Sequence, residues 1–462
     1  MKVTLIYPGI GIAGFGKTKL FPLNGELQWI QHGVASVGTY AKRERYEVDL
    51  IDMRTLDSWE HFENTITLKK PDVIGISVSY LDYKSVSKAF EVIKRINPKI
   101  VTVAGGIFAT IFPQELLKND NINYVITGEG EITFTNLLDA LKKGESFPKI
   151  SKGIPPDLDF LPNIDRELFD YKRELNCYFG PGQPFPHVTM IAGRGCPYNC
   201  SYCQPAERAV FGHHFRMRSV ENVIQELRDL KTKYDFKSIT WWDDTFTLSP
   251  DWIYKFCDAY EKEGFNAEMA ACSRADIICK NEEMIKRLSE VGLNWLVIGF
   301  ESGNQRILNL LNKGTTVEQN YKAAKICKKY KIKIIATFMM GLPTETKEEA
   351  KDTIRMIRTI RPEQPIPFYF TPISGTDIYD YCIKNDLLLR DDPFDIERTG
   401  SFIPKIKGVD YKFLDTLRAS LSPIWQRMVR LTMGLLVKLG VRYLYRKSGL
   451  KYLWKKLEAV IK

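Results

Sequence analysis

Three cysteines within residues 190–203 constrain this chain more than any other feature of its sequence. Cys196, Cys200 and Cys203 form a C-x3-C-x2-C array directly after an apolar, strand-like run at residues 187–192. Three thiolates cannot complete a tetrahedral zinc site, which needs four ligands. They can hold three irons of a cubane [4Fe–4S] cluster, whose usual count is four cysteines, and so leave one iron open for chemistry.

This array resembles the cysteine motif of the radical S-adenosylmethionine (SAM) enzymes. The resemblance implies that SAM chelates the open iron through its amino and carboxylate groups. It also implies that an electron from the cluster splits SAM into methionine and a 5′-deoxyadenosyl radical. The alternative is that a fourth cysteine elsewhere in the chain completes a zinc or redox site.

The composition is that of an ordinary globular protein with two or three domains. The chain has 462 residues, of which 44% are hydrophobic and 26% are charged. Six further cysteines are scattered without metal-ligand spacing, which predicts reduced core thiols. They are Cys177, Cys257, Cys272, Cys279, Cys327 and Cys382. The first apolar run is too short for a signal peptide, and no uncharged apolar run reaches about 18 residues, so we expect a cytoplasmic protein.

The excess positive charge is concentrated at the C-terminal end of the chain. The net charge is +10, while residues 401–462 hold 14 Lys or Arg against 3 acidic residues. The rest of the chain is therefore near neutral, which argues against a general nucleic-acid surface.

The spacing in residues 391–462 predicts one or two basic amphipathic helices. Such helices can lie on an anionic membrane surface, and a peripheral position at the inner face of the membrane would suit a lipid-linked substrate. They can equally pack their apolar face on the protein and leave the charges in solvent. The sequence leaves both possibilities open.

Residues 1–150 alternate apolar strand-like runs with helical stretches. Five β/α units at this spacing predict an α/β fold with a doubly wound parallel sheet. Ligands of such sheets lie beyond the carboxyl ends of the strands. The predicted strands are residues 3–7, 47–51, 72–78, 100–104 and 124–127.

Two nucleotide-binding patterns overlap in the loop after the first strand. Residues 9–14 fit G-x-G-x-x-G, and residues 11–18 fit the phosphate-loop pattern G-x-x-x-x-G-K-[ST]. Both patterns need a helix to begin at the end of the loop, so that its N-terminus meets phosphate. Because Pro22 and Asn24 follow, a helix is plausible only from about Glu26. A flexible glycine loop is therefore favoured over a nucleotide site.

Small and polar residues end the other predicted strands of this domain. They are Ser77, Ser79, Gly105, Gly106, Gly128, Glu129 and Gly130. Small residues let the backbone approach a large flat ligand. The glycine pairs in this set resemble the cobalamin-binding domain found ahead of many radical SAM domains, which implies that these residues contact cobalamin. The family motif D-x-H-x-x-G, whose histidine ligates cobalt, is absent, so we expect base-off cobalamin. The alternative is a domain that keeps this fold but has lost the cofactor.

Residues 151–185 are punctuated by proline and glycine and predict a linker. Residues 186–390 contain six strand-like runs separated by helical stretches, which predicts a partial β/α barrel of parallel strands. Active sites of barrels lie at the C-terminal ends of the strands. The predicted strands are residues 188–192, 238–242, 266–272, 295–300, 333–340 and 367–371.

Polar motifs follow these strands in the order found in the radical SAM family. Asp243 and Asp244 follow the second strand, where the resemblance implies contacts to the SAM amino group. These carboxylates can instead cap the next helix. Arg274 follows the third strand and suits the SAM carboxylate, because a guanidinium grips a carboxylate bidentately.

Two further motifs complete the predicted SAM site. Glu301 and Ser302 lie in a G-x-E-S-G match, which implies hydrogen bonds from Glu301 to the ribose or amino group of SAM. Gly341 begins a G-L-P-x-E turn that the resemblance places near adenine. Each motif alone is weak, but their order along the chain is specific.

The chain thus resembles a B12-binding-domain radical SAM enzyme with a [4Fe–4S] cluster, SAM and cobalamin as cofactors. The resemblance implies methylation of an unactivated carbon in a small-molecule or lipid-type substrate, with a one-electron donor such as flavodoxin or ferredoxin and without nucleic acid. One alternative is radical cyclisation, coupling or oxidation without methyl transfer. Another is a nucleotide-binding or scaffold protein in which the cysteines are incidental.

Overall fold

A computed structural model describes residues 1–10, 15, 30–169, 171, 175, 183–203, 205–389 and 404–421. Within these ranges the chain forms two six-stranded parallel sheets with helices between the strands. Most of the glycine-rich loop, Cys177 and the basic tail beyond residue 421 lie outside the described residues. The expectations for those segments stay predictions.

The N-terminal sheet has the strand order β2-β1-β3-β4-β5-β6, and all its strands run parallel. Its strands are β1 Lys2–Tyr7, β2 Glu47–Asp52, β3 Val73–Ser77, β4 Val101–Gly105, β5 Tyr124–Thr127 and β6 Ile150–Lys152. Its helices are α1 His32–Arg43, α2 Trp59–Lys69, α3 Tyr83–Ile96, α4 Ile107–Ile111, α5 Pro113–Leu116 and α6 Glu131–Lys143. The strand order reverses between β1 and β3, beside which ligands of such sheets bind. The predicted doubly wound sheet is confirmed, with β6 as an additional strand.

Alternating side chains of these strands build a core on each face of the sheet. Leu5 and Val103 pack with Phe134 of α6 on one face. Ile74 packs with Phe90 of α3 on the other face. Because successive side chains point to opposite faces, a strand that is covered on both sides must be apolar along its length.

The C-terminal sheet has the strand order β14-β13-β12-β11-β10-β7, again with all strands parallel. Its strands are β7 His187–Met190, β10 Ser238–Trp241, β11 Glu268–Ser273, β12 Leu293–Glu301, β13 Lys333–Met340 and β14 Gln364–Tyr369. Two short strands, β8 Gly193–Arg194 and β9 Arg216–Met217, pair antiparallel beside it. The six predicted strands are confirmed as a partial barrel, although β14 begins three residues earlier than predicted.

Helices cover the outside of the C-terminal sheet. They are α7 Pro205–Phe211, α8 Val220–Tyr234, α9 Pro250–Lys262, α10 Ala275–Lys280, α11 Glu282–Glu290, α12 Gln305–Leu310, α13 Val317–Lys329, α14 Lys347–Ile360, α15 Asp377–Lys384 and α16 Tyr411–Ala419. Helices α13 and α14 each begin at a capping box, formed by Thr316 with Gln319 and by Thr346 with Glu349. No helix of the described segments is long and apolar enough to cross a membrane.

The two sheets share part of one hydrophobic core. Ala35 of α1 belongs to the same buried cluster as Val188 and Met190 of β7. The first helix of the N-terminal sheet therefore packs against the first strand of the C-terminal sheet. This contact brings the carboxyl ends of both sheets to one cavity.

Candidate active site

The three predicted cluster cysteines lie on the loop that follows β8, at the carboxyl end of β7. Cys196 and Cys200 are partly buried, Cys203 is exposed, and none of the three forms a disulfide. Burial raises the pKa of the Cys196 thiol. No described group of three His, Cys, Asp or Glu side chains converges on a single-ion site. A cubane instead takes each cysteine on a separate iron, and three thiols on one loop are a fitting donor set for it.

Close contacts hold this loop in place. Gly195 has φ +93°, and a Cβ at this position would lie 2.6 Å from the carbonyl oxygen of His214. Glycine is therefore required where the backbone turns toward Cys196. Ser201 donates its backbone N–H to the carbonyl of Leu311 at 2.9 Å, which ties the loop to the chain that follows α12.

The two predicted carboxylates after β10 have different surroundings. Asp243 is buried and accepts hydrogen bonds from the backbone N–H groups of Ala192 at 3.1 Å and Gly193 at 2.6 Å. It thereby ties the end of β10 to the turn between β7 and β8, and burial raises its pKa to about 7. Asp244 lines a large cavity instead. Neither carboxylate caps α9, whose N-cap residue is Ser249.

Glu207 on α7 is a second carboxyl group in this cavity, and no sequence motif marked it. Its Oε2 atom is buried and accepts no hydrogen bond from the described residues. Burial and the neighbouring Asp244 carboxylate raise the pKa of Glu207 to about 8. Burial also raises the pKa of Asp244, so both carboxyl groups bind protons more readily than they would in water.

Glu301 ends β12 in a left-handed backbone conformation, with φ +61°. Its Oε1 atom accepts a hydrogen bond from the Tyr202 hydroxyl at 3.0 Å and lies 3.1 Å from the Lys313 ammonium. The ammonium also donates to the Tyr202 hydroxyl at 2.9 Å. A Cβ on Gly299 would lie 2.3 Å from Oε1 of Glu301, so glycine makes room for the pair. Because Tyr202 precedes Cys203, this trio connects β12 to the cysteine loop.

Ser302 and Gly341 support turns at their strand ends. Ser302 is fully buried, and its hydroxyl accepts from the N–H of Asn304 at 3.1 Å. Gly341 donates its N–H to Oε2 of Glu345 at 2.6 Å. Their contacts with SAM stay predictions.

Arg274 follows β11 and is 5% exposed. Its guanidinium is held by Asp276 and by the backbone carbonyl of Lys313. Its Nη1 atom lies 3.6 Å from the Cys200 Sγ atom. The predicted partner of the SAM carboxylate is thus placed directly against the cysteine loop.

A cavity of about 790 Å³ lies between the carboxyl ends of the two sheets. The N-terminal sheet lines it with Ser77, Gly105, Gly106, Gly128, Glu129 and Gly130. Trp242, Asp244 and Glu207 line it from the other side. Of the predicted cobalamin residues, Ser79 lies away from this lining, and its hydroxyl donates to Asp82 at 2.7 Å.

Glycines, which have no side chain, create the space along the N-terminal sheet. A Cβ on Gly105 would meet no atom closer than 3.8 Å, whereas a Cβ on Gly106 would lie 2.8 Å from the Ser77 hydroxyl. A Cβ on Gly75, inside β3, would lie 2.9 Å from the side chain of Leu5. Side chains at these positions would fill the cavity or collide with its walls, so the glycine edge fits a large, flat cofactor.

Charged side chains join the two sheets beside this cavity. Arg194, two residues before Cys196, donates to Glu129 at 2.7 Å and to Glu131 at 2.7 Å. Arg216 of β9 also pairs with Glu129. Burial raises the pKa of Glu131, but Arg194 outweighs that effect and holds it below its usual value. Glu129, which the sequence predicts to contact cobalamin, is in contact with two arginines.

Comparisons with known proteins agree with this architecture. Residues 190–357 match the Radical SAM superfamily, and residues 23–138 match the B12 binding domain. An uncharacterized methyltransferase of Pyrococcus horikoshii is 31% identical over 75% of this chain and 77% of its own length. The anaerobic magnesium-protoporphyrin IX monomethyl ester cyclase of Rubrivivax gelatinosus is 26% identical over 82% of this chain and 70% of its own length.

Among solved structures, the cobalamin-dependent SAM radical enzyme OxsB, with aqua-cobalamin and SAM bound, matches with a TM-score of 0.70. The identity is 17%, and the match covers 100% of this chain and 70% of that one. The chain belongs to the radical SAM enzymes that carry a B12 binding domain. Its cofactors are accordingly a [4Fe–4S] cluster, SAM and cobalamin.

Proposed function

We propose that this protein uses cobalamin to methylate an unactivated carbon of a small-molecule substrate. The observation that carries the proposal is the single cavity lined by Gly105 and Gly106 on one side and by Asp244 and Trp242 on the other. A substrate in this space is within reach of groups from both sheets. The methyltransferase relative from Pyrococcus supports methyl transfer as the reaction.

The three loop cysteines, Cys196, Cys200 and Cys203, would ligate the cluster. When bound, the cluster supplies one-electron cleavage of SAM, and cobalamin supplies a carrier for the methyl group. Asp244 and Glu207 place two carboxyl groups in this cavity, and a carboxylate there suits an ammonium group such as that of SAM. Apolar side chains in the lining exclude water from the reacting groups. Examples are Ile76, Val103, Ile107, Ile126 and Phe134.

The first experiment is anaerobic purification and reconstitution with iron and sulfide, followed by absorption spectra with and without hydroxocobalamin. We expect iron–sulfur absorbance that disappears when Cys196, Cys200 and Cys203 are changed to alanine. Cys327→Ala is the matched control, because this buried cysteine lies in α13 and its loss should leave the absorbance intact. A wild-type protein that takes up no iron would refute the proposal.

Radical ring formation is the second candidate, and the match to the anaerobic cyclase of Rubrivivax supports it. SAM with a labelled methyl group separates the two reactions. We expect the label to enter a small-molecule product together with formation of 5′-deoxyadenosine. Formation of 5′-deoxyadenosine without transfer of the label would favour cyclisation, coupling or oxidation.

We further propose a one-electron donor of the flavodoxin or ferredoxin class and contact of the basic tail with anionic lipid. The tail proposal rests on the 14 basic residues between positions 401 and 462. Co-sedimentation of the full chain with anionic vesicles, but not with neutral vesicles, is the expected result. Equal recovery with both kinds of vesicle would contradict it.

A further inference from the structure

Arg274 is a buried charged group that lies beside a predicted cluster ligand. Its Nη1 atom lies 3.6 Å from Sγ of Cys200, within the reach of an N–H···S hydrogen bond. The arginine is 5% exposed, so water screens its charge little. A fixed positive charge therefore stands beside one thiolate of the predicted cluster.

Three other contacts fix the orientation of this guanidinium. Asp276 accepts from Nε at 3.0 Å, and the carbonyl of Lys313 accepts from Nη2 at 2.6 Å. The ring of Tyr198, which lies between Cys196 and Cys200 in the sequence, has its centroid 3.5 Å from the Cζ atom. Nε and Nη2 of the guanidinium thus donate to Asp276 and Lys313, while Nη1 faces the sulfur of Cys200.

We propose that Arg274 is a positioning residue for the cluster, which donates a charge-assisted hydrogen bond to the Cys200 thiolate and raises the reduction potential of the cluster. The inference rests on the proposed function, because it requires the cluster to bind at these cysteines. Reduction adds one negative charge to the cluster. A nearby positive charge and a hydrogen bond to sulfur stabilise the reduced form more than the oxidised form. One electron from the external donor is then accepted at a less negative potential.

This role differs from the pairing with the SAM carboxylate that the sequence suggested. Pairing with SAM would affect the protein only when SAM is bound. A hydrogen bond to Cys200 acts on the cluster in the absence of SAM as well. The two roles are therefore separated by measurements with and without SAM.

The test is a redox titration of the reconstituted full-length protein, followed by electron paramagnetic resonance, for wild type and Arg274→Gln. We expect the midpoint potential of Arg274→Gln to shift to a more negative value without SAM. Arg287→Gln is the matched control, because it is the same substitution and also removes one positive charge. Arg287 pairs with Asp258 and Glu261 on α9 instead of a predicted cluster ligand. We expect no shift for it.

One result would overturn the proposal directly. It is a midpoint potential of Arg274→Gln equal to that of Arg287→Gln without SAM. Weaker binding of SAM by the same variant would then assign the arginine to the SAM carboxylate. Arg274→Lys controls for misfolding, because it keeps the positive charge. Its midpoint potential should lie between those of wild type and Arg274→Gln. If the wild type binds a cluster and neither Arg274 variant does, the arginine only supports the loop and the proposal fails. If the wild type itself binds no cluster, the proposed function fails first.

Discussion

At the scale of single residues, Lys313 and Glu301 form a buried ion pair with an N–O distance of 3.1 Å. Their side chains are 8% and 9% exposed. Replacing Lys313 with methionine would leave the Glu301 carboxylate buried without its cation. Breaking a buried pair from one side costs about 3–5 kcal/mol. We expect a loss of this size in the free energy of unfolding, measured by urea denaturation.

A double variant separates the lost charge from lost packing. In Lys313→Met combined with Glu301→Gln no charge is stranded, and much of the stability should return. The exposed pair of Lys329 and Glu282 is the comparison, because water screens this pair and Lys329→Met should cost far less stability. Equal losses for Lys313→Met and Lys329→Met would show that the buried pair contributes little.

Glu345 gives a prediction about pH. Burial raises the pKa of Glu345 to about 7, although its carboxylate accepts hydrogen bonds from the N–H groups of Gly341 and Leu342. The folded chain holds this proton up to about pH 7, whereas the unfolded chain releases it near 4.5. The stability that Glu345 contributes is therefore complete below pH 4.5 and is lost as the pH rises to about 7.

The variant Glu345→Gln tests this expectation, because glutamine is neutral and its oxygen can accept the same N–H groups. The free energy of unfolding of wild type should fall relative to the variant between pH 4.5 and 7, by about 3 kcal/mol. Above that window the difference should be constant. A difference that is constant from pH 4 to 8 would contradict the raised pKa.

Among the helices and strands, the positions of the strands could be predicted from the sequence. The side-chain contacts at the strand ends could not. Parallel strands covered on both faces are apolar along their length, so their positions were visible as short runs. Strand β6 was not predicted, because three residues are too few to show a pattern. Asp244 and Glu301 were placed correctly at strand ends, but their neighbours Glu207 and Lys313 belong to segments without a motif. Their contacts exist only once the chain has folded.

The edge of strand β4 carries a prediction about cobalamin. A side chain at Gly105 would extend into the cavity without a collision, because a Cβ there has no neighbour closer than 3.8 Å. We expect Gly105→Leu to weaken cobalamin binding by at least about tenfold. The leucine side chain would take up space in the cavity, and the loss of apolar contact equal to two or more methylene groups costs about that much affinity. The measurement is cobalamin absorbance after gel filtration. The iron–sulfur absorbance of the same sample is the control and should not change. Retention of cobalamin at the wild-type level would place the cofactor elsewhere.

At the scale of the whole molecule, the two sheets are held together by a charged cluster as well as by the core around α1. Arg194 connects Glu129 and Glu131 of the N-terminal sheet to the strand that leads into the cysteine loop. The side chains of Glu129 and Glu131 are 5% and 3% exposed. The glycine edge of the N-terminal sheet is thereby fixed relative to Cys196. The same contacts make the docking of the two sheets sensitive to one side chain.

Arg194→Met would leave Glu131 buried without its cation and Glu129 with Arg216 alone, so we expect the two sheets to separate. Small-angle X-ray scattering should then show a larger radius of gyration, and cobalamin should be lost, while the cysteine loop still binds iron. Adding Glu131→Gln should restore the compact form, because Glu131 is the carboxylate that lost its cation, whereas Glu129 keeps Arg216. Arg228→Met, which breaks only a surface pair, is the control and should leave the scattering unchanged. If Arg194→Met keeps the wild-type radius and its cobalamin, the apolar contacts of α1 alone hold the sheets together.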